Sequence, residues 1–296
     1  MTPEHNPFAV SDGVRRQIFT DRIVPMVLEP ARASSRPPRA LVVGGQPGAG
    51  KTRALAQIAP PTDFVVVNGD DLRAFHPQYD ELMDVQPNLM PDATASCAGT
   101  WIQMSLAWAA AQRRNVAWET TFRSGDALIR DTLMFRAASY SVTVTALAVP
   151  GQVSLLGTVR RYCSQVASYG AGRSVSLAGH DEPFKAALPL LERLPAAVPG
   201  ITLRIVNREL RQIYPVDQET AADALRIGRW LSVEACEQLI VETGEVRGQL
   251  AVQSPTPARK DAHEVLNVVD KRLRARIALL KTGRRRGHGP DGPDFG

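Results

Sequence analysis

Apolar residues recur along this chain in short unbroken runs rather than in strict alternation. Ala40 to Val43, "FVVV" (64–67), "NVAW" (115–118), "SVTVTALAV" (141–149) and "ITLRIV" (201–206) are the five clearest. Runs of this length, bounded by turn residues, predict strands covered on both faces. Between them the period lengthens to three and four residues. Val14, Ile18, Phe19, Ile23, Met26 and Val27 mark a helix over 11–29, with Ser11 or Asp12 able to cap it and Pro25 expected to kink it. Thr94 to Gln112 and Asp126 to Ala138 also read as helices. Strands alternating with helices imply parallel pairing through right-handed crossovers. The expected fold class is α/β: a mainly parallel sheet of about five strands with helices on both faces.

Beyond Tyr214 the pattern changes. "ETAADALRIGRWLSVEACEQLIVE" and "DAHEVLNVVDKRLRARIALL" are helical patterns with no strand between them, and "GEVRGQLAVQSPTPA" separates them as a linker. "PARASSRPPR" reads as another linker near the N-terminus. The expected organisation is an α/β domain over 1–214, a helical extension over 215–282 and a disordered basic tail over 283–296.

Composition narrows the class only a little. An apolar fraction of 44% and a charged fraction of 22% in 296 residues are those of an ordinary soluble protein. No apolar run reaches the roughly 18 residues of a membrane span, so no membrane helix is expected. The N-terminus has neither a basic start nor an apolar core, so no signal peptide is expected and the cytoplasm is the natural setting. Cys97, Cys163 and Cys236 are scattered without metal-ligand spacing and read as reduced thiols. The net charge is +5, but Lys51, Lys185, Lys260, Lys271 and Lys281 are the only lysines. Abundant alanine and arginine together read as codon bias, and the arginines near the C-terminus would attract polyanions without specificity. No specific nucleic-acid partner is expected.

The sharpest chemistry lies after the first strand. Gly45-Gln46-Pro47-Gly48-Ala49-Gly50-Lys51-Thr52 fits GxxxxGK[ST], with a strand before it and a helix after. The glycines let successive N–H groups curl around phosphate oxygens, and the helix that begins there presents its positive end. In such a loop the lysine reaches the β- and γ-phosphates and the threonine hydroxyl meets Mg²⁺. Gln46 to Thr52 is therefore the predicted site for ATP or GTP with Mg²⁺, with Thr52 as the metal contact.

A phosphate loop alone does not separate kinases from switches and motors. The guanine-specific NKxD box is absent, and no strand ends in the Asp-Glu of motor ATPases. Instead Asp70-Asp71 follows one strand and Glu119-Thr120-Thr121-Phe122-Arg123 follows another. Ligands of open α/β sheets sit beyond the carboxyl ends of the strands, which places both clusters beside the phosphate loop, where an acceptor hydroxyl belongs. A carboxylate there can take the proton of an attacking hydroxyl. The plainer alternatives are a Mg²⁺ or turn role at Asp70, and a metal-bound water or strand-end hydrogen bond at Glu119. Arg160, Arg161 and Arg173 lie among small residues in "GTVRRYCSQVASYGAGRS", the composition of a lid that closes arginines over a transferring phosphoryl group. A solvated helix face is the plainer alternative for any one of them.

Taken in order, "GGQPGAGKT", "NGDDLRAFHPQYDEL", "WETTFRS", "GTVRRY…GR" and "AGHD" resemble the zeta toxins of bacterial toxin–antitoxin systems, over roughly residues 8–210. The resemblance implies a P-loop kinase that phosphorylates the sugar 3′-hydroxyl of UDP-N-acetylglucosamine with ATP or GTP, and so inhibits cell-wall synthesis. It implies Asp70 as the acid–base residue and Lys51, Arg161 and Arg173 around the triphosphate. It implies Glu119, Thr121 and Arg123 as contacts to the sugar nucleotide. It also implies a small helical antitoxin that blocks the nucleotide site. Gln103 falls where the family carries a substrate-contacting Glu, so the acceptor pocket departs from the family there. A kinase for another small hydroxyl metabolite and a nucleotide-dependent switch are the competing readings.

Overall fold

The structure is a computed structural model, described over residues 7–30, 37–86, 89–216, 220–254 and 256–284. Most of the predicted N-terminal linker (31–36) and all but the first two residues of the predicted tail (285–296) lie outside the described residues.

Strands β1 (Arg39–Gly44), β2 (Val65–Val67), β3 (Val116–Thr120), β4 (Ser141–Leu147), β5 (Thr202–Val206) and β6 (Gln212–Tyr214) form one sheet in the order β2-β3-β1-β4-β5-β6. All neighbours run parallel except β6, which is antiparallel to β5. The five predicted strands are present. The sixth was not expected, because three residues with one buried side chain carry no periodicity to read. β6 follows the turn Asn207–Arg211, in which Asn207 Oδ1 accepts from the N–H groups of Glu209 and Arg211.

The helices are α1 (Asp12–Ile18), α2 (Lys51–Ile58), α3 (Gly69–Arg73), α4 (Tyr79–Val85), α5 (Met90–Ala111), α6 (Gly125–Ala137), α7 (Gly151–Tyr169), α8 (Leu177–Ala197), α9 (Ala221–Gly228), α10 (Val233–Ala251) and α11 (Pro257–Arg284). Ser11 caps α1 as expected. Phe19–Leu28 continues it as a wider π-helical segment around Pro25, where the Glu29 N–H reaches back five residues to Val24 O. One expectation fails: "GEVRGQLA" is not linker but the second half of α10. Its two glycines suggested a break, yet Thr243, Val246 and Leu250 bury one face, and that burial outweighs the glycine cost of about 1 kcal/mol each.

Two cores result. One lies against the sheet around Trp101, Trp118, Phe135 and Tyr140, where Phe135 meets Trp118 tilted at 5.4 Å and Tyr140 edge-on at 4.9 Å. The other joins Leu155, Leu156, Val159 and Tyr162 of α7 to Cys236, Leu239 and Val246 of α10 and Leu266, Val269 and Leu273 of α11. Among the described residues no helix is long and apolar enough to cross a membrane.

β1 is central, between β3 and β4, and the glycine-rich loop leaves its carboxyl end. There the loop meets α7 backbone to backbone. A Cβ on Gly48 would lie 1.9 Å from Ser154 O, and one on Gly157 would lie 2.7 Å from Gly48 O. Gly157→Ala is therefore expected to lower stability by about 1–3 kcal/mol, as overpacking does. Gly244→Ala, in the exposed face of α10 with nothing within 4 Å, should raise it by about 0.5–1 kcal/mol. Thermal or urea unfolding of the two variants checks both signs.

Candidate active site

The phosphate loop is built from β1 outward. Gly44 ends the strand against the Phe122 ring, which occupies the space a Cβ would need. Gly45 N–H donates to Thr120 O (3.2 Å), tying the loop to the end of β3. Gly48 and Gly50 hold φ of 77° and 95°, the left-handed region open to glycine, and α2 starts at Lys51. Gln46 is fully buried. Its carbonyl accepts from Ala49 N–H (3.2 Å) and from Lys51 Nζ (3.3 Å), and its side-chain amide donates to Val149 O (2.8 Å) and Ser154 Oγ (3.0 Å). Pro47 and Ala49 complete the curl.

β2 and β3 deliver the carboxylates. Asn68 follows β2 and caps α3 by accepting from Asp70 N–H (2.9 Å). The cap is thus Asn68, an Asx side chain two residues upstream of the N–H it binds. Asp70 is half-exposed and paired with Arg173 (2.5 Å) and Arg73 (3.4 Å). Burial pushes its carboxyl up, but Arg173, with Arg73 and Arg161 behind it, outweighs that and holds it below the usual carboxylate range. Asp71 is pushed up, by burial and then by the Asp70 charge. At the end of β3, Glu119 is raised mainly by burial, against a hydrogen bond from Thr52 and the charge of Lys51. Its Oε1 is buried without a protein partner.

Lys51, Thr52, Asp70, Glu119, Arg161 and Arg173 are thus close enough to act on one another's charge or to bond. Arg160 and Arg161, adjacent on α7, diverge. Arg161 faces the carboxylates, whereas Arg160 pairs with Glu242 of α10 (2.7 Å). Arg173 sits in the loop between α7 and α8. Its N–H donates to Gln165 Oε1 (3.2 Å), and next to it Ser174 Oγ donates to Asp261 Oδ2 of α11 (3.0 Å).

The other predicted contacts stand further out. Phe122 takes a φ of 64°, a strain of about 1–3 kcal/mol for a residue other than glycine. Thr121 beside it is partly exposed, and Arg123 reaches Gly179 O (3.4 Å) and Glu182 (3.3 Å) at the start of α8. Gln103 on α5 donates to Asp131 Oδ2 of α6 (3.3 Å), and among the described residues no hydrogen bond joins it to Asp70 or Glu119. Sequence reasoning missed Arg73. Its spacing of three residues from Asp70 on a helix was the available signal.

The model of the zeta toxin family matches residues 27–219, about two thirds of the sequence. The chain belongs to the zeta toxin family. It is 28% identical to the toxin zeta of Streptococcus agalactiae over 210 residues, covering 69% of this chain and 73% of that protein. It is 26% identical to the toxin PezT of Streptococcus pneumoniae over 224 residues, covering 73% of this chain and 87% of that one. In fold it superimposes, with a TM-score of 0.68 and 22% identity, on a chain from the PezAT chromosomal toxin–antitoxin system of Streptococcus pneumoniae, covering 82% of this chain and 99% of the other. Family and fold together make this zeta-family protein a kinase-type phosphotransferase of the P-loop class.

Lys51 gives the site a titration that can be tested without any ligand. Burial lowers its pKa from 10.5 to about 8, with Arg161 in the same direction and Glu119 and Asp70 opposing. Between those two values the unfolded chain keeps a proton that the folded chain has released. This group therefore makes stability rise with pH across that window while the loop loses its charge. Acylation of Lys51, followed by peptide mass spectrometry across pH, should reach half its maximal rate near pH 8. A half-point near 10.5 would rule out the buried ammonium described here.

Proposed function

We propose that this zeta-family protein transfers the γ-phosphoryl group of ATP or GTP to a sugar hydroxyl of a nucleotide-linked sugar. The 3′-hydroxyl of UDP-N-acetylglucosamine is the first candidate, and the consequence is inhibition of cell-wall synthesis from the cytoplasm. The observation that carries this reading is the Asp70 carboxylate, kept ionised by arginines next to Lys51 at the open end of the sheet. A switch protein needs no such base.

The residues fit a triphosphate. Lys51 Nζ has a backbone carbonyl as its hydrogen-bond partner, the left-handed glycines free the loop N–H groups, and the exposed Thr52 hydroxyl borders Glu119. Among the described residues no group of three or more His, Cys, Asp or Glu is arranged to hold a metal. That suits Mg²⁺ brought by the phosphates, since this ion takes only one or two protein oxygens in such sites. Thr52 would hold it, with Glu119 Oε1 near, and it would neutralise charge on the phosphate oxygens.

Positioning and charge stabilisation supply most of the rate in such a transfer. Lys51 and Arg161 flank the phosphates. Arg173, now paired with Asp70, is drawn toward the incoming triphosphate, which frees the carboxylate to orient the acceptor hydroxyl and take its proton. Glu119, Thr121 and Arg123 line the acceptor side beyond β3. Gln103, turned to Asp131, favours one second reading: a kinase of the same mechanism acting on another small hydroxyl metabolite. The family also supports a small antitoxin as partner, covering the nucleotide site.

The test is turnover against binding. Asp70→Ala should cut phosphorylation of UDP-N-acetylglucosamine, read by mass gain on the sugar, by about 10²–10⁴-fold. Its affinity for ATP should stay within about threefold of the parent. Normal turnover of Asp70→Ala would defeat the acid–base assignment. Turnover of another hydroxyl compound in place of this sugar would select the second reading.

A further inference from the structure

Behind the phosphate loop runs a buried polar chain. Gln46 Nε2 donates to Ser154 Oγ (3.0 Å), Ser154 Oγ meets His180 Nε2 (2.8 Å), and His180 Nδ1 meets Asp181 Oδ1 (2.8 Å). Arg272 of α11 closes the chain with both guanidinium nitrogens, one on each Asp181 oxygen. Four elements contribute: the loop, the first turn of α7, the start of α8 and the last helix.

Serine, histidine and aspartate in this order suggest a nucleophile, but Ser154 and His180 are both 0% exposed. Nothing can reach the hydroxyl, and one of its lone pairs is engaged by Gln46. The order of donors points to a different task. Asp181, gripped by Arg272, accepts a hydrogen bond from His180 Nδ1–H, which leaves Nε2 as an acceptor. Ser154 then donates to Nε2 and accepts from Gln46. Without Asp181 in place the imidazole can carry its proton on Nε2, and Ser154 must then turn its own proton to Pro150 O (3.2 Å) or Gly151 O (3.1 Å), which changes the hydroxyl that the Gln46 amide binds. Gln46 is also the residue whose carbonyl receives Lys51 Nζ.

We propose that Ser154, His180, Asp181 and Arg272 are positioning residues through which the last helix, α11, fixes Gln46 and with it the shape of the phosphate loop. The C-terminal helices are then a working part of the nucleotide site. The inference rests on the nucleotide-binding half of the proposed function and not on the acceptor.

Calorimetric titration with ATP tests it. Arg272→Met and His180→Asn should each weaken binding about tenfold, and the double variant should be little worse than either, because links of one chain are not additive. Glu242→Gln breaks the Arg160 pair, another tie between α7 and the extension that leads away from the loop. It should leave ATP affinity within about twofold while lowering the melting temperature. Arg272→Met that binds ATP like the parent overturns the proposal, as does an equal loss in Glu242→Gln. Arg272→Gln, a milder change at a side chain still 24% exposed, decides the matter if the Met variant does not fold. Failure of the parent itself to bind ATP would instead defeat the functional reading.

Discussion

Everything around the site depends on one contact without side chains: the phosphate loop lying on the first turns of α7. Gly48 rests against Ser154 O, and Gly157 leaves room for Gly48 O. Through this packing α7 sets where Arg161, two turns from Ser154, stands relative to Lys51, close enough to act on its charge. The same helix carries Leu155, Leu156, Val159 and Tyr162 into the second core. The loop is thereby anchored on one side to the sheet, through Gly45 and Thr120, and on the other to the helical extension.

On this frame the site is an exercise in charge compensation. Lys51 and Glu119 are each destabilised as ions by burial, and each partly restores the other. Asp70 lies in a more open position, where arginines outweigh its desolvation. The result is a spread of proton affinities among neighbouring groups. Asp70 stays ionised across the neutral range, Lys51 is near the edge of losing its proton, and Glu119 is the more easily protonated carboxyl. Two carboxyls with the same unperturbed chemistry are thus separated by environment, the condition for different roles in one reaction. Under the proposed function, Lys51, Arg161 and Arg173 are the counter-charges to a triphosphate, and Asp70 is the charge that repels it.

Much of this was legible in the residues. Five of six strands announced themselves as apolar runs because burial on both faces leaves no polar alternation. The loop Gln46 to Thr52 was legible because only glycines at fixed spacing permit its curl. β6 was not, since three residues pairing with one edge draw their stability from the partner strand rather than from their own pattern. The continuation of α10 through Gly244 and Gly248 was not legible either, because tertiary burial of Val246 and Leu250 overrode propensity. At the site, the divergence of Arg160 from Arg161 could have been expected from the 100° step between adjacent helical residues. Which of them faces the carboxylates depended on packing far away in sequence.

The least legible feature is the tie between the two ends of the chain. Arg272 lies in a stretch whose arginines looked like nonspecific basic surface, yet it is paired with an aspartate and one hydrogen bond from a fully buried histidine. A buried histidine that keeps one proton needs a defined partner on each nitrogen. Here the partners come from α7 and, through Asp181, from α11. Sequence can show that His180 and Asp181 stand together, but not that a residue about 90 positions downstream holds their carboxylate. Ser174 and Asp261 repeat the arrangement beside Arg173, again joining the loop between α7 and α8 to α11. Two independent polar ties from one helix, one behind the phosphate loop and one beside Arg173, cannot be explained by the apolar core of the extension, which would be satisfied by leucines alone. They make sense if α11 is held in register with the site rather than merely attached to it.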